Sequence, residues 1–353
     1  MRVLVAVLVA LALAIPCGAV NIEELKGALP GDAAGILNGI EELDVGHGLA
    51  ALAKEGAARL RRGLWDSVRS AFLMTAVCLL VSLVQSFAKQ SGVSMPEKVV
   101  ELAGATAILR LAFGESGALL ELCRDAVTDL DRFTKVLCGV FAAASAAAGK
   151  PASAVATAGA AMLFSDLLFQ LVLKVFLPAI SLYLLLIYGG VIGDSGTLRQ
   201  AAVVEKWAVS NFFRVFLTMY FAYLAFTGLM TGAADAAAVK TAQSLSSTVP
   251  LVGSVIAGAS EAILSGAAIL RSSVGMVGFL GSLAICLTPL VKGLCHMITF
   301  KILAVVASSF SEGGCRTMMN GLADAYSMLM GILTACCAVQ FITIVVSMLV
   351  TGT

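Results

Sequence analysis

Residues 142 to 161 read AAASAAAGKPASAVATAGAA, rich in alanine on both sides of a Gly149-Lys150-Pro151 break. As a low-complexity linker, this stretch would tether a soluble domain. As two helices with small side chains, it belongs inside one continuous membrane body. Alanine is the best helix former, and Gly-Lys-Pro makes a turn with a charge at its tip. The stretch therefore predicts a helical hairpin. In lipid the hydrophobic effect does not hold helices together, so Ala, Ser, Thr and Gly must let backbones approach closely.

Composition supports that choice. Of 353 residues, 59% are hydrophobic and 13% charged, with a mean hydropathy of +0.98; an ordinary soluble domain carries about 25% charged residues. The apolar residues come in long blocks, which places the chain in a membrane. A net charge of +1 carries no basic excess that would suggest nucleic acid as a partner. The nine cysteines fall mostly inside apolar runs, with no CxxC and two histidines. Neither a zinc site nor a disulfide framework is spelled out, and no cofactor is expected.

The opening MRVLVAVLVALALAIPCGAV has one arginine, an apolar run, Pro16 and a small-residue exit, the pattern of a secretory signal peptide or signal anchor over 1–20. Residues 21–70 form the most soluble region. Apolar residues recur there at helical spacing (Ile36, Ile40, Leu43, then Leu49, Leu52, Leu60, Leu64, Val68), while Lys54, Arg61, Arg62, Asp66 and Arg69 gather on the opposite side. Such an extracytoplasmic arm lies on a membrane surface or docks on a partner, with Leu60, Arg61, Arg62 and Leu64 as its candidate contact residues. Its basic cluster runs against the positive-inside rule if it is extracytoplasmic.

From residue 71 to 353 the chain reads as a multi-span helical domain. The span candidates are Ala71 to Ala88, a weak Val99 to Phe113, Val136 to Ala148, Ala152 to Leu173, Phe176 to Gly193, Trp207 to Thr231, Pro250 to Leu270, Val274 to Val291, Gly293 to Phe310 and Ser327 to Val350. Several fall short of the ~20 residues that a hydrocarbon core demands, so six to eight crossings are expected. The intervening ELCRDAVTDLDRFTK is amphipathic and suits an interface. The fold class is thus all-α: a polytopic helical membrane protein with a signal segment and an amphipathic arm.

Small residues recur at packing spacing: Gly189 with Gly193, Gly228 with Gly232, Ser254 with Gly258, and Gly275, Gly278 and Gly281. An internal repeat is also suggested, 157–232 and 274–352, each with apolar helix, proline, apolar helix, polar Gly-containing loop and a last apolar helix ending in Thr-Gly. Chance similarity of two membrane segments explains the pattern as well. Inverted units would make a transporter-like arrangement.

Ionisable groups inside apolar runs are costly, about 2.5–3.5 kcal/mol each at the bilayer centre on insertion scales, and so mark function. Asp166, Gln170 and Lys174 share one helix face at i, i+4, i+8. They line a pore or cavity, or else Lys174 snorkels and Asp166 caps a broken helix. Glu261 faces the same choice between a water-facing wall and a surface-lying helix. No catalytic motif survives inspection. The phosphate-loop pattern has Ala144 for its first glycine and Pro151 for its Ser or Thr. VIGD has Val191 where an intramembrane aspartyl protease has glycine. Ser260 is followed by Glu261 rather than the glycine of a rhomboid-type protease, and His296 reads as a packed helix residue.

The signal segment, IEELKGALPGD (22–32), LPAISLYLLLIYGGVIGD (177–194), TVPLVGSVIAGASEAILSGAAILRSSVGMVGFLGSLAICLTPLVKG (248–293) and LADAYSMLMGILTACCAVQFITIVVSML (322–349) together resemble the stage III sporulation protein AE family of endospore-forming bacteria. The resemblance lies in the order and texture of segments, and it carries over no residue with an assigned chemical role. It implies a non-enzymatic, multi-pass protein of the mother-cell membrane around the forespore. Its expected partners are other products of its operon, including ring-forming subunits, and membrane lipid; self-association is left open. Their complex would be a channel or secretion apparatus needed for forespore development. The chain would be its conduit or a scaffold that anchors the rings; a small-molecule transporter is the further alternative.

Overall fold

In the computed structural model of the chain, the described residues are 27, 29–31, 33, 45–91, 97–147, 152–226, 273–310 and 314–351. Among them no strand occurs. The helices are α1 Val45–Ser91, α2 Glu97–Ala147, α3 Ala152–Leu171, α4 Leu177–Ile192, α5 Gly196–Phe226, α6 Ser273–Phe310 and α7 Gly314–Thr351. One π-helical turn, Val172–Phe176, joins α3 to α4.

The all-α membrane body is what the sequence predicts. Among the described residues four helices are long and apolar enough to cross a membrane: Ala50–Phe87, Met162–Ile192, Val277–Ala307 and Gly314–Met348. Several blocks read separately in the sequence are joined in the structure. Val99 to Phe113, ELCRDAVTDLDRFTK and most of Val136 to Ala148 are one helix, α2. Its buried residues Ala105, Ile108, Ala112, Ser116, Leu119, Cys123, Ala126, Leu130, Phe133, Leu137 and Phe141 recur every three or four positions, so one face stays on the core from Ala105 to Phe141. The second arm helix likewise runs straight into the first apolar block as α1. The signal segment, most of the arm before Val45 and the candidate Pro250 to Leu270 lie outside the described residues.

Prolines do not break the helices where the repeat pattern placed a division. Pro289 lies within α6, and Pro178 sits in the first turn of α4 directly after the π turn, in which the Leu177 N–H donates to the Val172 carbonyl five residues back. A proline lacks an N–H and clashes with the carbonyl four residues earlier; a widened turn accommodates this and lets the helix continue.

α6 and α7 are the central antiparallel pair, with Phe279 and Phe341 ring centroids 5.0 Å apart near one end and Gly293 against Met330 further along. α1 lies parallel to α6, Gly48 meeting Leu280 and Gly63 meeting Cys295. α2 packs on α7, α1, α6 and α3. α3 and α4 pack on α7, and α5 lies chiefly on α4. The opening stretch is the end of α2 and the start of α3, with 148–151 outside the described residues. The two helices meet where Lys135 Nζ lies 3.1 Å from Asp166 Oδ1.

Glycine provides the close approaches. A Cβ on Gly281 would lie 2.8 Å from Phe133 Cζ and 3.0 Å from Leu29 Cδ2, and one on Gly278 3.1 Å from Leu137 Cδ1. These two let α2 seat on α6, and Gly275 is buried on the same helix. A Cβ on Gly189 would lie 3.6 Å from Leu198 Cδ1 of α5, an ordinary contact. Gly193 closes the α4–α5 turn by donating its N–H to the Gly189 carbonyl at 2.8 Å. Gly228 and Gly232 lie outside the described residues. Gly104 against Val81 and Gly321 against Ile187 are further close approaches. Neither belongs to a spaced pair, so spacing alone did not find them.

Candidate functional site

Three polar clusters tie the helices together. The first joins α1, α2 and α6. Ser67 Oγ lies 2.9 Å from His296 Nδ1, and His296 Nε2 lies 3.2 Å from Glu115 Oε2. Ser70 Oγ donates to Glu115 Oε1 at 2.7 Å. Tyr326 of α7 stands edge-on to the imidazole, ring centroids 5.5 Å apart. A proton on Nε2 lets His296 donate to the carboxylate, and Nδ1 lies 2.9 Å from both Ser67 Oγ and the Lys292 carbonyl oxygen. The hydrogen bonds from His296, then Ser70, and the charge of Lys292 hold the Glu115 carboxyl below the usual glutamate range.

Serine, histidine and a carboxylate in sequence of contact suggest acyl transfer. Ser67 is wholly buried and His296 nearly so. In this arrangement no substrate carbonyl reaches the hydroxyl, and the cluster serves to clasp three helices. The sequence placed His296 correctly as a packed residue. It did not reveal the cluster, because Ser67 and Glu115 lie 229 and 181 positions from His296.

The second cluster lies at the other end of α7 and gathers α2, α3 and α5. Lys135 Nζ lies 2.7 Å from Asp131 Oδ2 and 3.1 Å from Asp166 Oδ1. Beneath this trio, Thr134 Oγ1 lies 2.8 Å from the fully buried Gln340 Oε1. Ser165 Oγ and Tyr220 OH lie 2.7 and 3.1 Å from Thr343 Oγ1. The third cluster pairs Lys206 Nζ of α5 with Asp324 Oδ2 of α7 at 2.6 Å.

Of the stripe read from sequence, Asp166 pairs with Lys135 on α2. Gln170 is half-buried and Lys174 exposed. Lys174 sits in the π turn, whose i→i+5 bonding adds a residue to the turn and departs from the α-helical i+4 register assumed from spacing. Glu261 lies outside the described residues. On the arm, Leu60 and Leu64 are half-buried and turned toward the bundle, and Arg61 and Arg62 are exposed. Among the described residues no three His, Cys, Asp or Glu side chains form a group fit for a metal ion.

Two kinds of outer surface result. α1 exposes Trp65, Phe72, Leu80, Leu83 and Phe87, an apolar stretch of about 33 Å, the thickness of a hydrocarbon core. α2 exposes Glu121, Arg124, Asp125, Arg132 and Lys135 on its outward side. Membrane-length apolar helices, interlocked by glycine contacts and buried polar clusters, define a polytopic helical membrane protein. Comparison with known proteins then gives the particular family: the family model described as stage III sporulation protein AE matches residues 38–351, and the chain belongs to that family. It is 21% identical to stage III sporulation protein AE of Bacillus subtilis (strain 168) over 249 residues, 70% of this chain and 62% of that relative's length. No solved structure matches the chain.

Proposed function

We propose that this protein is a non-enzymatic integral component of a channel or secretion complex in the mother-cell membrane around the forespore, and that it contributes to the conduit itself. Family membership supplies the sporulation role. The observation that carries the conduit is α2, 51 residues long, seated along the apolar bundle yet charged on its outer face. An anchor surrounded by lipid has no use for such a face, since charges at bilayer depth turn toward protein or water. Ring-forming products of the same operon are its proposed partners.

The scaffold reading rests on a different surface, the exposed Arg61, Arg62, Asp66 and Arg69 of α1. The two separate by mutation in sporulating cells, with membrane assembly checked by immunoblot and crosslinking. For a conduit, Glu121→Ala with Arg124→Ala on the charged face of α2 abolishes spore formation while the complex still assembles. For a scaffold those changes are tolerated, and Arg61→Ala with Arg62→Ala releases the partners instead.

A further inference from the structure

α1 packs on α2 and α6, and α5 chiefly on α4, which makes α1 and α5 opposite edges of the bundle. Each edge carries an exposed apolar stretch. On α1 it runs from Trp65 to Phe87, widened by Phe113 of α2 and Ile302 of α6, and on α5 it runs from Leu198 through Trp207 to Met219. At 1.5 Å per residue the two stretches are about 33 and 32 Å long, and either one matches a hydrocarbon core.

Contacts with α7 fix their heights, taken with the N-terminal end of α7 uppermost. Ser67 meets His296, whose ring stands on Tyr326, and Val81 and Cys315 face the same glycine, Gly104. The α1 stretch therefore starts near Tyr326 and rises past the beginning of α7. On the other edge Ile187 meets Gly321, and Leu198 lies beside Gly190, about one turn higher. Tyr220 meets Thr343, so the α5 stretch descends about 25 Å below Tyr326. The centres of the two stretches are offset by about 15–20 Å.

Polar groups repeat this offset at both ends. Near the level of Val81, where α1 is apolar, the α4–α5 turn exposes Asp194 and Thr197, with Arg199 donating to Asp194 at 3.1 Å. Near the level of Val215, where α5 is apolar, α2 exposes Arg132, two residues from the contact of Thr134 with Gln340. A bilayer perpendicular to the bundle would bury one of these charged groups, whichever stretch it covered. Such burial is costly.

We infer that both stretches face the acyl chains of one bilayer, which the bundle crosses on a tilted axis that brings them to a common depth. α1 and α5 are three helix neighbours apart through α2 and α4, about 27 Å, so the offset calls for a tilt of about 30–35°, inside the range of membrane helices. A core of ~30 Å then takes up about 35 Å of each tilted helix, close to both stretches. Lipid is the occupant because Leu182 and Leu185 of α4 continue the α5 stretch onto the membrane-length segment Met162–Ile192. At the lower end of the α1 stretch Trp65 is flanked by Arg61, Arg62 and Arg69, the aromatic and cationic signature of a membrane–water interface. Arg110, Lys174, Lys301 and Arg316 are exposed at these depths, and their long stems carry the charge toward an interface. The charged back of α1 below Trp65 and that of α2 beyond Gly117 then meet water at one surface, and the α4–α5 turn meets it at the other. The orientation goes beyond the conduit reading and stands whether or not the chain conducts.

The test puts single spin labels on the full chain, reconstituted in vesicles of phosphatidylcholine and phosphatidylglycerol. Collisions are measured with oxygen, which concentrates in lipid, and with a nickel chelate, which stays in water. Leu83→Cys and Thr197→Cys sit near one level of the bundle, Val215→Cys and Arg132→Cys near another. All four positions are exposed, and the parent's described cysteines are buried or half-buried. The ratio of oxygen to nickel collisions should be severalfold higher at Leu83→Cys than at Thr197→Cys, and severalfold higher at Val215→Cys than at Arg132→Cys. Leu80→Cys and Met219→Cys replace either apolar variant if it fails to insert. A lipid ratio at only one of the two apolar positions, with the other open to nickel, means an upright bundle and overturns the inference. Protection of either apolar position from both reagents means that protein, a second copy included, covers that stretch, and overturns it as well.

Discussion

α6 and α2 are long helices of the same bundle, and they solve opposite problems. α6 is apolar on nearly all sides over its inner half and is enclosed by α1, α2 and α7. It reaches its neighbours through glycines at 278, 281 and 293. α2 keeps one continuous apolar face and a charged back, and it is held at Glu115, Thr134 and Lys135 by side chains from three other helices. In a membrane the difference has one cause. Apolar burial gains little when the alternative is lipid, so α6 depends on tight backbone approach, whereas α2 depends on polar contacts that lipid cannot replace.

The comparison breaks most sharply at the α2–α6 seam. Gly281→Leu forces a side chain into the space held by Phe133 and Leu29. The expected loss is about 3 kcal/mol or more, the upper range for overpacking, read as collapse of protein level and of resistance to denaturing detergent. Next comes the clasp. His296→Ala leaves Ser67 and one Glu115 oxygen without that partner, an expected loss of about 1–3 kcal/mol.

The same variant sharpens the comparison with pH. A carboxyl held below its ordinary range adds stability that is present above that range and lost as the pH falls through the depressed value. Wild type should therefore weaken on acidification below the glutamate range, and His296→Ala should show a shallower dependence in the same detergent titration. Smaller still is Lys135→Met. Its side chain is 58% exposed, so a double-mutant cycle with Asp166→Asn should return a coupling of about 1 kcal/mol or less. The smallest effect belongs to Arg61→Ala with Arg62→Ala, surface changes expected to stay within about 0.5 kcal/mol in unfolding and to act only on partners or solute passage.

Much of the architecture could be read from residue order. The hairpin around Gly149-Lys150-Pro151, the membrane character and the packing glycines 278 and 281 all follow from local composition and spacing. The number of elements was harder. α2 was divided because its charges look like interruptions of a span, when they are the back of one uninterrupted helix. The Asp166, Gln170 and Lys174 stripe assumed 3.6 residues per turn through a segment that adopts a π turn ahead of Pro178. The Ser67, Glu115 and His296 cluster carried no local signal, since its members come from three helices.

The sequence by itself determined that this chain is helical and dissolved in a membrane, because hydropathy, alanine propensity and glycine spacing act within one or two helical turns. Only the tertiary structure decided which side of each helix meets water, lipid or protein. Whether Arg124 and Leu182 lie at one depth, on opposite sides of a bundle, depends on the axial registration of α2 and α4 against α7. That registration is set by contacts between residues far apart in the chain.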